Sequence, residues 1–506
     1  MKQKLINDSK IPNYVTHVTE TLENAGFEAF LVGGCVRDLI LNKEPKDWDI
    51  TTNANPEQII PLFEKTIYEN SFGTVGVCIP KNVTHETTKK DEPAVAHETK
   101  PEYYIVEVTP YRIEAKYSDF RHPEEVTFSK NIEDDLKRRD FTVNALAYST
   151  KGQIIDLYKG QEDIKDNIIK SVGSAHDRFN EDALRILRAV RFSTQLNFAI
   201  EYDTMQSIIE NAHLLKNISQ ERIHDEFVKI IESENPSIGI GMMSKLGLLK
   251  YIIPELEEGI GCAQGGAHIF DVFEHCVQAL QHSADKGFST EIRLAALFHD
   301  IGKPRTRRVG EKKAYTFYGH EVVGARMTQK IMERLKFSKK STDFVVSMVR
   351  NHMFFSDTEQ ITLSAVRRIV QKVGKEHVWE LMQIRECDRV GMKKAEAPYR
   401  LRKYHAMLEQ VLRDPISVGQ LKIDGERLIA MGEKPGPKFS YTLHALLEEV
   451  IEDSTKNTEE YLEKRALELL KLPIEDLKKI GEKAKDLKEE LEEEEIKKLN
   501  QKHGVK

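Results

Sequence analysis

The stretch that most restricts what this chain can become is residues 31 to 52, LVGGCVRDLILNKEPKDWDITT. A short apolar run ends in Gly33-Gly34, a polar helix-like turn carries Arg37, and Asp47 and Asp49 then alternate with Trp48 and Ile50. Side chains two apart on a strand project to one face, so the two carboxylates can hold hard cations between them. Two-metal phosphoryl transfer needs such a pair, because metals about 3.5 to 4 Å apart clamp the attacking and leaving oxygens. The glycines let a triphosphate approach the backbone, where amides and Arg37 would hold phosphate oxygens. Each piece alone is common: Gly-Gly is usually a turn, and Asp-X-Asp is usually a solvated strand end.

A chain of 506 residues is too long for one core and should split into several domains. With 40% apolar and 31% charged residues it reads as soluble and globular, and helix formers dominate after residue 180. No apolar run approaches the roughly 20 residues that span a bilayer. The start, MKQKLINDSKIPNYV, lacks the apolar centre of a signal peptide. We therefore expect no membrane partner and a cytoplasmic location. Cys35, Cys78, Cys262, Cys276 and Cys387 form no Cys-X-X-Cys pair, which argues against thiolate zinc and against a disulfide framework. The net charge of -7 argues mildly against a nucleic-acid partner. Acidic residues, however, pile up at 489 to 495 while Arg and Lys cluster upstream, and local charge decides.

Residues 1 to 30 read as a helix leading into a strand, and NANPEQIIPLF as a capped helical segment. FGTVGVCIP and YYIVEVTPYR read as two strands separated by a polar insertion, 82 to 101, whose His85 and His97 receive no role. Glu107 sits mid-strand among apolar neighbours, where a carboxylate is costly unless paired or bound to metal. The run DLKRRDFTVNALAY, residues 135 to 148, carries Arg138, Arg139, Asp140 and Asn144; as charge alone it would be a solvated basic patch. Farther on, RFNEDALRILRAVRF carries Glu181, Asp182, Arg185, Arg188 and Arg191. Helical spacing puts 182, 185 and 188 on one face, so Asp182 and Arg185 can stand side by side. A carboxylate accepts from an exocyclic amine and a guanidinium donates to a ring nitrogen or carbonyl. Cytosine and adenine both offer an amine beside an acceptor, so this pair would select CTP and ATP without a template. An ordinary surface salt bridge is the alternative.

Together these motifs resemble, in order and spacing, the class II tRNA nucleotidyltransferases and bacterial poly(A) polymerases, a branch of the polymerase-β-like nucleotidyltransferases. The resemblance runs from about residue 25 to residue 470. It implies an α+β head, a small mixed sheet with helices, followed by an all-α neck, an HD body and a tail. We place the head at 1–150, the nucleotide-selecting neck at 151–240, the HD domain at 241–395, the tRNA-binding tail at 396–471 and a charged helical extension at 472–506. By the resemblance, Asp47, Asp49 and Glu107 are the catalytic carboxylates and hold Mg2+. Gly33, Gly34, Arg37 and Arg139 hold the triphosphate, Asp140 with Asn144 orders the sugar side, Asp182 and Arg185 read the base, and Arg188 and Arg191 support phosphate or base. Glu221 and Arg222 belong to a helix-stabilising motif. The flexible-loop element is altered to Arg121-His122-Pro123, one arginine short of the family pattern.

From residue 268, His275, His299, Asp300 and Asp388 have the order and separation of an HD-domain metal site. His and carboxylate ligands suit a divalent transition metal, and a metal-bound water would attack a phosphate ester. His320 and His352 would add ligands for a second metal or contact phosphate. Leu477, Ile480, Ala484, Leu487 and Leu491 repeat at three and four, as in a short coiled coil or a helix docked on the body. The implied activity is addition of CMP and AMP, from CTP and ATP, to the tRNA 3′ end. Poly(A) polymerase, CC-adding and A-adding enzymes share the motifs, and an HD phosphohydrolase with an RNA-binding head, or an RNA-binding scaffold, stands as the rival of another class.

Overall fold

The computed structural model describes residues 6–69, 73–81, 102–114, 126–265, 268–309, 315–353, 362–392, 398–432 and 434–482. The insertion at 82 to 101, Arg121-His122-Pro123, and Ala484, Leu487 and Leu491 lie outside them. The chain divides into two compact units, Met1–Ile230 with Met242–Tyr251, and Ile231–Gly241 with Ile252–Lys506.

The first unit is built on a seven-stranded sheet: β1 (Ala29–Val32), β2 (Asp49–Thr52), β3 (Thr66–Glu69), β4 (Thr74–Pro80), β5 (Tyr103–Pro110), β6 (Leu146–Tyr148) and β7 (Ile154–Asp156). Their order is β3-β4-β5-β2-β1-β6-β7. Only β2 and β5 run parallel, which makes the sheet mixed, as expected. The last strand lies beyond residue 150, because a tight turn, with Ser149 N donating to Gln153 O at 2.9 Å, folds β7 back on β6. Helix α1 (Asn13–Asn24) buries Val15, Val18 and Leu22, the three-and-four spacing that turns one apolar stripe to the core. Helix α2 (Gly34–Ile40) begins directly after β1, and Asp47 lies just before β2.

The helices of this unit also include α3 (Ile132–Lys137), α4 (Ala175–Glu181), α5 (Leu184–Leu196), α6 (Tyr202–Asn211) and α7 (Gln220–Ile231). Helical spacing puts 182, 185 and 188 on one face; the chain instead breaks at Asp182, which is extended at φ -142, ψ 102. An Asp is suited to that break, because its side chain accepts from Leu184 N at 3.0 Å and so starts the next helix.

The second unit is helical, with α8 (Val272–Asp285), α9 (Thr290–Phe298), α10 (His320–Arg334), α11 (Lys339–Asn351), α12 (Leu363–Val373) and α13 (Val378–Asp388) forming its HD part. The tail follows as α14 (Pro398–Val411), α15 (Pro437–Glu452), α16 (Glu459–Leu469) and α17 (Ile474–Glu482). Leu477 is fully buried in one cluster with Leu446, Val450, Leu462, Ala466 and Leu469. The described part of the extension is thus a helix docked on the tail. All five cysteines are buried and unpaired. No helix among the described residues is long and apolar enough to cross a membrane.

Candidate active site and metal centre

The glycine turn after β1 explains how the head site assembles. Gly33 sits at φ 81, a conformation that favours glycine, and a Cβ there would lie 2.9 Å from Arg139 Nη1 and 3.8 Å from Asp49 Oδ2. Only a residue without a side chain lets this guanidinium rest against the backbone beside Asp49. Arg37, on α2, is buried and donates from Nη1 to Asn144 Oδ1 at 2.7 Å. Asn144 Nδ2 donates to Asp140 Oδ1 at 3.2 Å, and Asp140 Oδ2 accepts from Arg188 Nε at 2.8 Å. A relay of four predicted residues therefore joins the glycine turn to α5. Burial raises the Asp140 carboxyl, but Arg188, Arg185 and Asn144 outweigh it and hold its pKa at about 2.

Asp47 is exposed and Asp49 half-buried. Burial pushes the Asp49 carboxyl up; Arg139 pulls it down and the charge of Asp47 pushes it up again, leaving it above the ordinary value. The parallel register pairs Asp49 with Glu107, which puts both on one face. Glu107 is exposed, whereas Val106 and Val108 on either side of it are buried. The burial cost expected for Glu107 from its apolar neighbours therefore does not arise: those neighbours face the core and it does not. Oxygen-only donors whose charges repel one another fit a hard cation. Among the described residues, however, the groups of three or more with every ligand atom within 4.8 Å of the others are both in the HD part.

Asp182 and Arg185, the pair expected to read the base, do not share a helix face. Asp182 is held by Arg222, which donates from Nη2 to Oδ2 at 2.7 Å and from Nη1 to Oδ1 at 3.1 Å. Arg185 donates from Nη1 to Glu181 Oε2 at 2.7 Å and from Nη2 to the Arg138 carbonyl at 2.9 Å. Arg191 pairs with buried Glu226 at 2.9 Å. Burial lowers the Arg191 pKa to about 10, with Glu226 opposing and Arg188 assisting. Gly34 lies in the turn with no contact as tight as that of Gly33. Residue spacing alone missed Glu226, and it missed Asp135, although the latter stands three and four residues before Arg138 and Arg139, a helical pairing distance.

In the second unit all four HD residues meet. His275 Nε2 and His299 Nε2 are 3.1 Å apart, Asp300 Oδ2 is 3.4 and 3.3 Å from them, and Asp388 Oδ1 is 3.5 and 3.4 Å from them. His275 Nδ1 faces the Val390 carbonyl at 3.1 Å and His299 Nδ1 the Ala296 carbonyl at 2.7 Å. Protons on Nδ1 leave both Nε2 lone pairs directed at one point, as in a metal site. His320 and His352 repeat the arrangement, with Nδ1 on the Phe317 and Val349 carbonyls at 2.7 Å and their Nε2 atoms 3.2 Å apart. Asp300 Oδ1 lies 3.3 and 3.6 Å from those two nitrogens. One buried carboxylate thus faces two ligand clusters, one from each oxygen.

Burial lowers the His299 pKa, but Asp300 and Asp388 hold it up at about 10, so the same field favours a cation at this point. The donor set fits a divalent transition metal. Gly302 makes the geometry possible: a Cβ there would lie 2.2 Å from the His320 carbonyl, so glycine lets α10 close on the His-Asp turn. Lys303, which residue patterns did not single out, is buried and donates to Asp300 Oδ2 and, at 2.7 Å, to Gln264 Oε1.

The mixed-sheet head and the His/Asp centre define a nucleotidyltransferase joined to an HD module. The chain matches the poly A polymerase head domain over residues 29–170, a "probable RNA and SrmB- binding site of polymerase A" over 197–260, and the HD domain over 268–391. The Lactobacillus helveticus CCA-adding enzyme is 32% identical over 451 residues, covering 88% of this chain and 94% of the relative. The chain belongs to the CCA-adding enzyme family. Across 241 residues, 48% of this chain and 56% of the relative, it is 44% identical to the Lactococcus lactis CCA-adding enzyme. The Bacillus stearothermophilus CCA-adding enzyme, solved with CTP, superposes with a TM-score of 0.65 at 28% identity, covering 90% of this chain and 97% of that one. The Thermotoga maritima enzyme, solved with tRNA, shares the fold at a TM-score of 0.53 and 19% identity, over 92% and 96% of the two chains.

Proposed function

We propose that the protein adds CMP and AMP, from CTP and ATP, to the 3′ end of tRNA, building or repairing CCA without a nucleic-acid template and releasing pyrophosphate. One observation carries the reading: in a chain of this family, Gly33 lets Arg139 lie beside Asp49, so a triphosphate ligand and a catalytic carboxylate share one edge. Asp47 and Asp49, with Glu107, would hold Mg2+, which supplies Lewis acidity at the tRNA 3′-hydroxyl and at the α-phosphate. Gly33, Gly34, Arg37 and Arg139 bind the triphosphate. Asp140 and Asn144 order the sugar side through the relay to Arg37 and Arg188. Asp182 and Arg185 read the base, held in place by Arg222 and Glu181, while Arg188 and Arg191 support them.

We divide the labour along the chain as head 1–150, completed by the strand at 154–156, neck 151–240, HD domain 241–395, tail 396–471 and extension 472–506. A cytoplasmic location fits this reaction, which draws on tRNA and nucleoside triphosphates. A second activity is favoured by the two His/Asp clusters sharing Asp300: metal-dependent hydrolysis of phosphate esters on RNA ends or nucleotides.

The test is product length at single-nucleotide resolution on tRNA ending at the discriminator base, at C and at CC, with CTP, ATP or both. Stops at CCA, absent in an Asp47→Ala, Asp49→Ala double variant, are expected. Long A tails would make the protein a poly(A) polymerase, and stops at CC, or A added only to CC ends, a partial enzyme. No addition would leave the HD hydrolase as the activity.

A further inference from the structure

Asp135 has no assigned part in nucleotide binding, yet the geometry gives it one. It is fully buried on α3 and both of its oxygens are engaged by consecutive arginines. Oδ1 accepts from Arg138 Nε at 2.9 Å and Nη2 at 2.6 Å; Oδ2 accepts from Arg139 Nε at 3.3 Å and Nη2 at 3.0 Å. A buried carboxylate tolerates its surroundings only when paired in this way. The consequence falls on Arg139. Its Nε and Nη2 edge is fixed by Asp135, and Nη1 is the corner turned to Gly33, 2.9 Å from where a Cβ would stand there, with its charge felt at Asp49. A planar guanidinium held along one edge has its remaining donors aimed in one direction, so the charge arrives preorganised. The same turn carries the Arg138 carbonyl that accepts from Arg185, so it also bears on the base-reading arginine.

We propose that Asp135 is a positioning residue that aims Arg139 at the triphosphate and so sets how strongly the protein prefers a nucleoside triphosphate to a monophosphate. The inference rests on the reading of Arg139 as a triphosphate ligand. Asp135 is ionised as it holds the guanidinium, since burial raises its carboxyl but Arg139 and Arg138 bring it below the usual range.

The experiment is equilibrium binding of CTP and of CMP, with Mg2+ and without tRNA, to the full-length protein and its D135N, D135E and R139A variants, with melting curves alongside. For D135N, CTP binding should weaken about tenfold while CMP binding changes by about twofold or less, the size of one lost charge-assisted interaction. In turnover, KM for CTP should rise more than kcat falls. D135E, which keeps the charge at a displaced position, should fall between, and it serves as the test if D135N does not fold. A CTP-to-CMP affinity ratio equal to wild type in the folded Asp135 variants, with R139A reducing that ratio, would overturn the role of Asp135 alone. An unchanged ratio in R139A would instead sink the reading of Arg139 on which it stands.

Discussion

The two centres of this protein solve the problem of concentrated charge in opposite ways. In the head, Asp47 and Glu107 are exposed and Asp49 is half-buried, and Arg37, Arg139, Arg185, Arg188 and Arg191 each have an acidic or amide partner. In the HD part, four imidazoles and Asp300 are buried, and the Nδ1 atom of each ring is taken up by a backbone carbonyl. A site that must admit a triphosphate and an RNA end needs exchangeable ligands within reach of solvent. A site whose Nε2 lone pairs converge inside the core is prepared for a resident cation, because the packing holds donors that repel one another when no cation is between them. Openness goes with turnover of ligand, and burial with its retention.

This contrast can be broken at several points. The largest effect should come from Asp49→Asn, since a catalytic metal supplies several kcal/mol of transition-state stabilisation, so nucleotide addition should fall by roughly three orders of magnitude in single-turnover assays. A fall of less than tenfold would remove Asp49 from the chemistry. Next, after desalting, the HD part should keep transition metal while the head loses Mg2+. Asp300→Ala should lower the retained metal by about 100-fold, as read by metal content, because both clusters lose their shared carboxylate. Equal loss of both metals from the wild type on desalting would erase the distinction.

A third effect is acid sensitivity of the head. Asp140 has a folded pKa of about 2 against an unfolded value of about 3.8, so its stabilisation is present above the unfolded pKa and is lost as pH falls through the folded one. That is on the order of 2 kcal/mol near neutrality, and the stability gap between wild type and Asp140→Asn should narrow as pH drops from about 5 to about 2. A gap independent of pH in denaturant titrations would mean that the ion pair with Arg188 is not its source. The smallest effect expected is that of Arg222→Gln. Losing the double donation to Asp182 should cost about tenfold in discrimination of CTP and ATP against UTP and GTP, measured by competition, with a smaller effect on total incorporation.

Much of both centres was legible in the chain because their chemistry is written in local motifs. Gly33-Gly34, the Asp47/Asp49 spacing and the Arg138 to Asn144 run lie within, or directly beside, short stretches of regular structure, and His275, His299-Asp300 and Asp388 lie on or beside three helices whose order the sequence shows. Alternation and helical period carry enough information to place such residues on a strand, a turn or a helix. The mixed sheet and the helical body follow from the same periods. Where the local rule was applied across a hidden break it failed: Asp182 is extended, so its partner is not Arg185 but Arg222, 40 residues on.

What only the tertiary structure decided is which donors face which acceptors between elements. The pairing of Asp49 with Glu107 depends on a parallel register between strands far apart in sequence. The union of Arg191 with Glu226, the approach of Arg139 to the Gly33 backbone, and the two-sided use of Asp300 depend on how closely separate segments approach. Periodicity reports the direction of a side chain relative to its own element, and it carries no information about the neighbour across the gap. That neighbour is set by packing, and at Gly302 by the absence of a single Cβ that would otherwise collide with the His320 carbonyl and hold α10 away from the His-Asp turn.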